Sequence, residues 1–141
     1  YRTAIDFNRR NYEKLLLNIN EHPELKSLSH CVLHNYARSL LQVFQASLQK
    51  SDVGNDRPYH YLEEAERLMR EVVRESSRED FSMYVSSIIL LCHILMCQRK
   101  FAEAKQILTP CLQKAQRVYG PSHEMTKRLL DLDEVIRPYT T

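Results

Sequence analysis

The sequence predicts an all-α fold of about six helices, stacked as antiparallel pairs, with no sheet. Three observations carry this. Apolar residues recur at intervals of three and four along most of the chain from Ile5 to Ile136. Only two glycines, Gly54 and Gly120, stand among the 141 residues, so the positive-φ positions that many hairpins need are scarce. The stretches that gather Ser, Asp, Asn, Gly and Pro are few and far apart, which suits long elements joined at few places.

The first helix is expected over Ala4–Asn20, where Ile5, Asn8, Tyr12, Leu15, Leu16 and Ile19 fall on one side. His22-Pro23 ends it, because proline disfavours helix at the residue before it. A second helix, capped by Ser27 or Ser29, runs to about Lys50 and carries Leu33, Tyr36, Ala37, Leu40, Leu41, Phe44 and Leu48 as a broad apolar stripe. Ser51–Pro58 (SDVGNDRP) is the clearest loop, since each of its residue types favours turns for its own backbone reason.

Tyr59–Ser77 is the third helix. Leu62, Ala65, Leu68, Met69, Val72 and Val73 form its inner face, and its outer face alternates Glu and Arg in i,i+4 pairs such as Glu66 and Arg70. Ser76–Asp80 breaks the chain. Phe81–Gln98 is then apolar nearly all round, as a helix buried among neighbours should be. A fifth helix from Phe101 to about Tyr119 turns Ala104, Ile107, Leu108, Cys111, Leu112, Ala115 and Val118 inward. Pro110 lies inside it, where proline costs about 3 kcal/mol in an ideal helix, and a kink is expected there. Gly120-Pro121-Ser122 stops the fifth helix and caps a sixth, lined by Met125, Leu129, Leu132, Val135 and Ile136 and closed by Pro138.

Hydrophobic residues at 43% and charged residues at 27% are enough for a folded core, and the length is that of one domain. The 20 basic and 18 acidic side chains are interleaved without a polybasic block, so bulk charge gives no case for nucleic acid or an anionic membrane. Val85–Cys97 is interrupted by Ser86, Ser87 and His93 and is shorter than the ~20 residues of a membrane span. The chain opens at Tyr1 with no secretory leader, and a segment of a longer, intracellular and cytoplasmic protein is expected. Cys31, Cys92, Cys97 and Cys111 sit within helical patterns, without the spacing of a disulfide framework, and are expected to be free thiols.

A repeat underlies the helices. Ile88, Leu91, Cys92 and Leu95, followed by Ala104 and Leu108, match the large, Leu, small, large, then Ala and large positions of a tetratricopeptide repeat, and Phe101-Ala102-Glu103-Ala104 has the look of its turn. A looser copy runs Leu33, Tyr36, Ala37, Leu40, then Ala65 and Met69, with about sixteen extra residues between its helices. A truncated third begins at Leu129, Leu132, Asp133 and Ile136, where Asp133 in the small position suggests a solvated cap.

The chain thus resembles the tetratricopeptide family. Phe101–Ile136, with Tyr119-Gly120 and His123 ahead of its last helix, is similar to the repeats of kinesin light chains and to the helical C-terminal regions of MYND-type lysine methyltransferases. An aspartate before His123 and a proline after it, usual in those families, are missing. The resemblance implies one domain wound as a right-handed superhelix: an N-terminal helix over 1–22, a divergent repeat over 28–77, the best repeat over 81–119 and a capping helix over 122–138. It also implies a concave groove lined by the first helix of each pair. By register that surface holds His34, Arg38 and Leu41, then Ser86, Ile89, His93 and Met96, then Lys127 and Leu130.

Catalytic chemistry finds no candidates. His123-Glu124 does not continue into the zinc-protease motif because position 127 is Lys, and two glycines so far apart build no phosphate loop. His30, Cys31 and His34 on one helix and Cys92, His93 and Cys97 on another have ligand chemistry, but core thiols and groove histidines are the simpler account, and neither metal nor cofactor is expected. The sequence therefore reads as a non-enzymatic scaffold or adaptor that holds a protein or peptide partner in its groove, without nucleic-acid binding or membrane insertion. The other reading is an accessory helical domain of a larger enzyme such as a protein methyltransferase.

Overall fold

The structure, a computed structural model, describes residues 2–19, 26–49, 59–76 and 81–140. Those residues form six α-helices and no strand: α1 (Arg2–Ile19), α2 (Lys26–Gln49), α3 (Tyr59–Ser76), α4 (Phe81–Cys97), α5 (Phe101–Val118) and α6 (Glu124–Ile136). The Ser51–Pro58 loop and the capping residues expected between Ser77 and Asp80 lie outside the described residues. The chain divides into two compact units, Tyr1–Glu75 and Ser76–Thr141.

In the first unit α2 is the middle helix. Leu33, Tyr36, Ala37, Leu40, Leu41 and Phe44 are all buried, as their spacing predicts. Against α1 it packs closely and antiparallel: Asn8 Nδ2 donates to Ser39 Oγ at 2.6 Å, and Arg9 Nε donates to the Tyr36 hydroxyl at 3.0 Å. Against α3 the backbones stay further apart and bulky side chains span the gap. Phe44 meets Tyr59 with ring centroids 5.2 Å apart, Tyr36 reaches Glu64, and His30 lies 3.2 Å from Glu75. Partners rise along α3 as they fall along α2, so this pairing too is antiparallel. Leu62, Ala65, Leu68, Met69 and Val72 are buried on α3, while Arg70 and Glu66 pair at 2.7 Å on its outer side.

The second unit is α4, α5 and α6, each packed on the other two. Its ends are closed by specific geometry. Arg99 adopts φ 61°, its amide bonds Met96 O, and the Lys100 amide reaches back to Leu95 O at 2.8 Å, which together satisfy two of the last carbonyls of α4. Gly120 takes φ +86° after α5, as expected of a glycine at that place. α5 runs unbroken through Pro110. Both Pro110 and Gln106, whose carbonyl loses its helical donor, lie on the exposed side of α5. Beyond α6 a short 3-10 turn, Arg137–Tyr139, folds back so that Tyr139 stacks on Phe101 at 4.2 Å.

Four expectations need correction. α2 already contains Ser27 and Ser29, so neither is its N-cap. His123, not Ser122, caps α6, because its Nδ1 is the atom that accepts from the Met125 amide. Val118, the last residue of α5, is exposed. Val135 is exposed as well, and Thr126 takes an inner place that periodicity gave to apolar residues; its hydroxyl, 3.4 Å from Ala115 O, satisfies the polar atom that would otherwise oppose burial.

Candidate functional site

The groove residues expected from the repeat register divide between the two units. On α2, His34, Arg38 and Leu41 are successive positions of one side at four- and three-residue steps. Arg38 is exposed, whereas His34 retains 8% of its surface and Leu41 6%. Among the described residues His34 Nε2 has no hydrogen-bond partner. Burial holds its imidazole below the usual histidine range, and the Arg38 charge lowers it further.

On α4 the apolar residues go all the way round, and only a narrow strip remains open. Ser86 and His93, seven residues apart, define it: Ser86 is half-buried and His93 exposed. Met96 is half-buried beside them, and Ile89 keeps only 8% of its surface. On α6 Lys127 is exposed and Leu130 half-buried. His34, Leu41 and Ile89 are thus the three expected groove residues that offer little area to a partner.

The second unit brings the open strip of α4 toward α6. Partial desolvation lowers the His93 pKa, and Arg128 on α6 is near enough for its charge to lower it further. Arg128 is exposed and was not among the residues the register selected. The register puts Lys127 and Leu130 on this face; which flank of α6 meets α4 depends on packing, and no local pattern in the sequence encodes it. Arg128 accordingly gives this face a cation, beside the neutral imidazole of His93 and the soft apolar Met96.

Reactive chemistry is weak elsewhere. Burial, with Cys111 nearby, pushes the Cys92 thiol up to about 12, and burial pushes Cys111 up to about 11 against the opposing charge of Lys114. Burial raises Cys97 as well. The raised values favour the protonated thiol at neutral pH, which weakens all three as nucleophiles. All four cysteines are free thiols, and Cys31 is the exposed one. Among the described residues no group of three His, Cys, Asp or Glu side chains is arranged to hold a metal ion. No helix among them is long and apolar enough to cross a membrane. Asp133 of α6 is bound to Arg137 at 3.0 Å.

Compared with protein-family models, curated proteins and solved structures, the chain matches none of them.

Proposed function

We propose that the chain is a tetratricopeptide-like interaction module that docks a protein or peptide on the face shared by α4 and α6. One observation supports this above the rest. α4 is buried at Val85, Ser87–Cys92, Ile94 and Leu95, yet presents an exposed imidazole at His93, with Arg128 near it. An exposed position adds nothing to the core by burial, so the side chain there is free to meet a partner. The polar and cationic groups would orient a partner, and Met96, with its flexible thioether, would adapt to apolar side chains. No catalytic step is part of this reading.

The test is a pull-down of partners with the chain, repeated with His93→Glu and Met96→Glu. Loss of the captured partner with an unchanged melting temperature supports docking at this face. Undiminished capture by both variants, or a large fall in melting temperature showing that the two positions belong to the core, counts against it.

A further inference from the structure

We propose that His123 is a proton-operated helix cap, which closes the first turn of α6 as the neutral imidazole and releases it as the imidazolium. The cap is built from the ring itself. His123 is extended (φ −68°, ψ 142°), its carbonyl accepts the first helical bond from Lys127 at 3.0 Å, and its Nδ1 lies 3.1 Å from the Met125 nitrogen. Nδ1 must therefore be the bare nitrogen, with the proton on Nε2. An imidazolium carries hydrogen on both nitrogens and accepts nothing, so protonation deletes the bond to Met125. The new charge also stands at the positive end of the helix dipole. Serine, threonine and asparagine keep their acceptor oxygen at every pH a cell reaches, whereas histidine changes charge between about pH 5 and 8.

The surroundings decide what the charged ring does next. Just past the end of α5, Tyr119 stacks on the imidazole with centroids 4.3 Å apart and a 16° tilt. Phe81 of α4 stacks in turn on Tyr119 at 5.3 Å, and Lys114 sits 4.7 Å above Phe81. On α6 itself Glu124 is the next residue and Lys127 lies one turn on, both exposed. The Tyr119 face and Glu124 attract a cation, and Lys127 and the helix dipole repel it. The stack therefore retains the ring against Tyr119 while the amide of Met125 loses its acceptor, so the first turn loosens without α6 detaching. Because Lys127 belongs to that turn, acid would also weaken docking at the α4–α6 face; this consequence rests on the proposed function, and the cap itself does not.

Amide hydrogen exchange of the chain, measured by NMR at pH 7.5 and 5.5 and corrected for intrinsic rates, tests the cap directly. Protection of the Met125 amide should fall on the order of fivefold at the lower pH, the equivalent of one lost cap. His123→Asn, whose side-chain oxygen accepts at both pH values, should show no such fall. Equal protection of Met125 at the two pH values overturns the proposal, and so does the same fall in His123→Asn. A fall spread evenly over α4, α5 and α6 overturns it too, since that reports the stability of the whole unit. His93→Glu, which addresses docking alone, leaves this exchange pattern unchanged, so the two ideas fail separately.

Discussion

The hydroxyl of Tyr36 donates to Glu64 Oε1 at 2.6 Å and so joins α2 to α3 at a place where the two backbones do not approach closely. The same oxygen accepts from Arg9 Nε of α1 at 3.0 Å, and Tyr36 keeps only 2% of its surface exposed. One phenol therefore ties all three helices of the first unit. Burial raises its pKa, and the bond to Glu64 raises it further, so the donor stays protonated throughout the neutral range.

Tyr36→Phe should keep the packing and remove the oxygen. Arg9 and Glu64 are both partly open to water and can be rehydrated, so the cost is that of charge-assisted bonds without a fully buried orphan, about 1.5 to 3 kcal/mol. A urea titration that reports the first unit measures it. A loss below about 0.5 kcal/mol would show that the hydroxyl bonds contribute nothing net.

Much of the fold was legible because helices are local. Inner faces at Leu33 to Phe44 and Leu62 to Val72 follow from three-and-four spacing alone, and α3 through α5 begin and end within about two residues of the expected places. The close packing of α1 on α2 was not legible, since it depends on Asn8 meeting a hydroxyl at Ser39, a pair separated by 31 positions. The candidate face was read only in part. Periodicity assigns a residue to a side of its own helix, and it does not say which neighbour covers that side. The register therefore puts Ile89 on an open surface that the tertiary packing closes, and it does not select Arg128.

The two left-handed residues at helix ends should respond in opposite ways to substitution. Arg99 pays for a side chain at φ 61°, so Arg99→Gly should stabilise the second unit by about 0.5 to 1 kcal/mol, after the loss from a more flexible unfolded chain. Gly120→Ala meets no atom within 4 Å, yet φ +86° strains any Cβ, and a loss of about 1 to 2 kcal/mol is expected. Thermal melts of both variants decide this. A gain at Gly120 or a loss at Arg99 would mean that the chain does not turn at these places as described.

Thiol reactivity should follow burial. Cys31 is exposed and should react first with an aromatic disulfide reagent at pH 8 in the native protein. Cys97 is half-buried with a raised pKa and should react more slowly. Cys92 and Cys111, pushed up to about 12 and about 11, should stay unmodified until urea unfolds the second unit. Mass spectrometry of the labelled peptides gives the order, and early labelling of Cys92 would show that the core of α4 and α5 opens readily.

Acid should destabilise the first unit through His34. Its folded pKa is lowered, by burial first and by Arg38 second, while in the unfolded chain it titrates near 6.5. Below about pH 6.5 the unfolded state therefore binds a proton that the folded state resists, and stability falls as pH drops from there toward the lower folded value. Above pH 6.5 both states are neutral and the contribution is flat. One such proton gives a slope of at most about 1.4 kcal/mol per pH unit. Because the Nε2 atom has no partner among the described residues, His34→Leu removes the titrating group without orphaning another. Urea midpoints of the first unit between pH 7.5 and 5 should fall in the native chain and stay more nearly level in His34→Leu. Parallel curves for the two proteins would place the acid sensitivity elsewhere and show that His34 is hydrated.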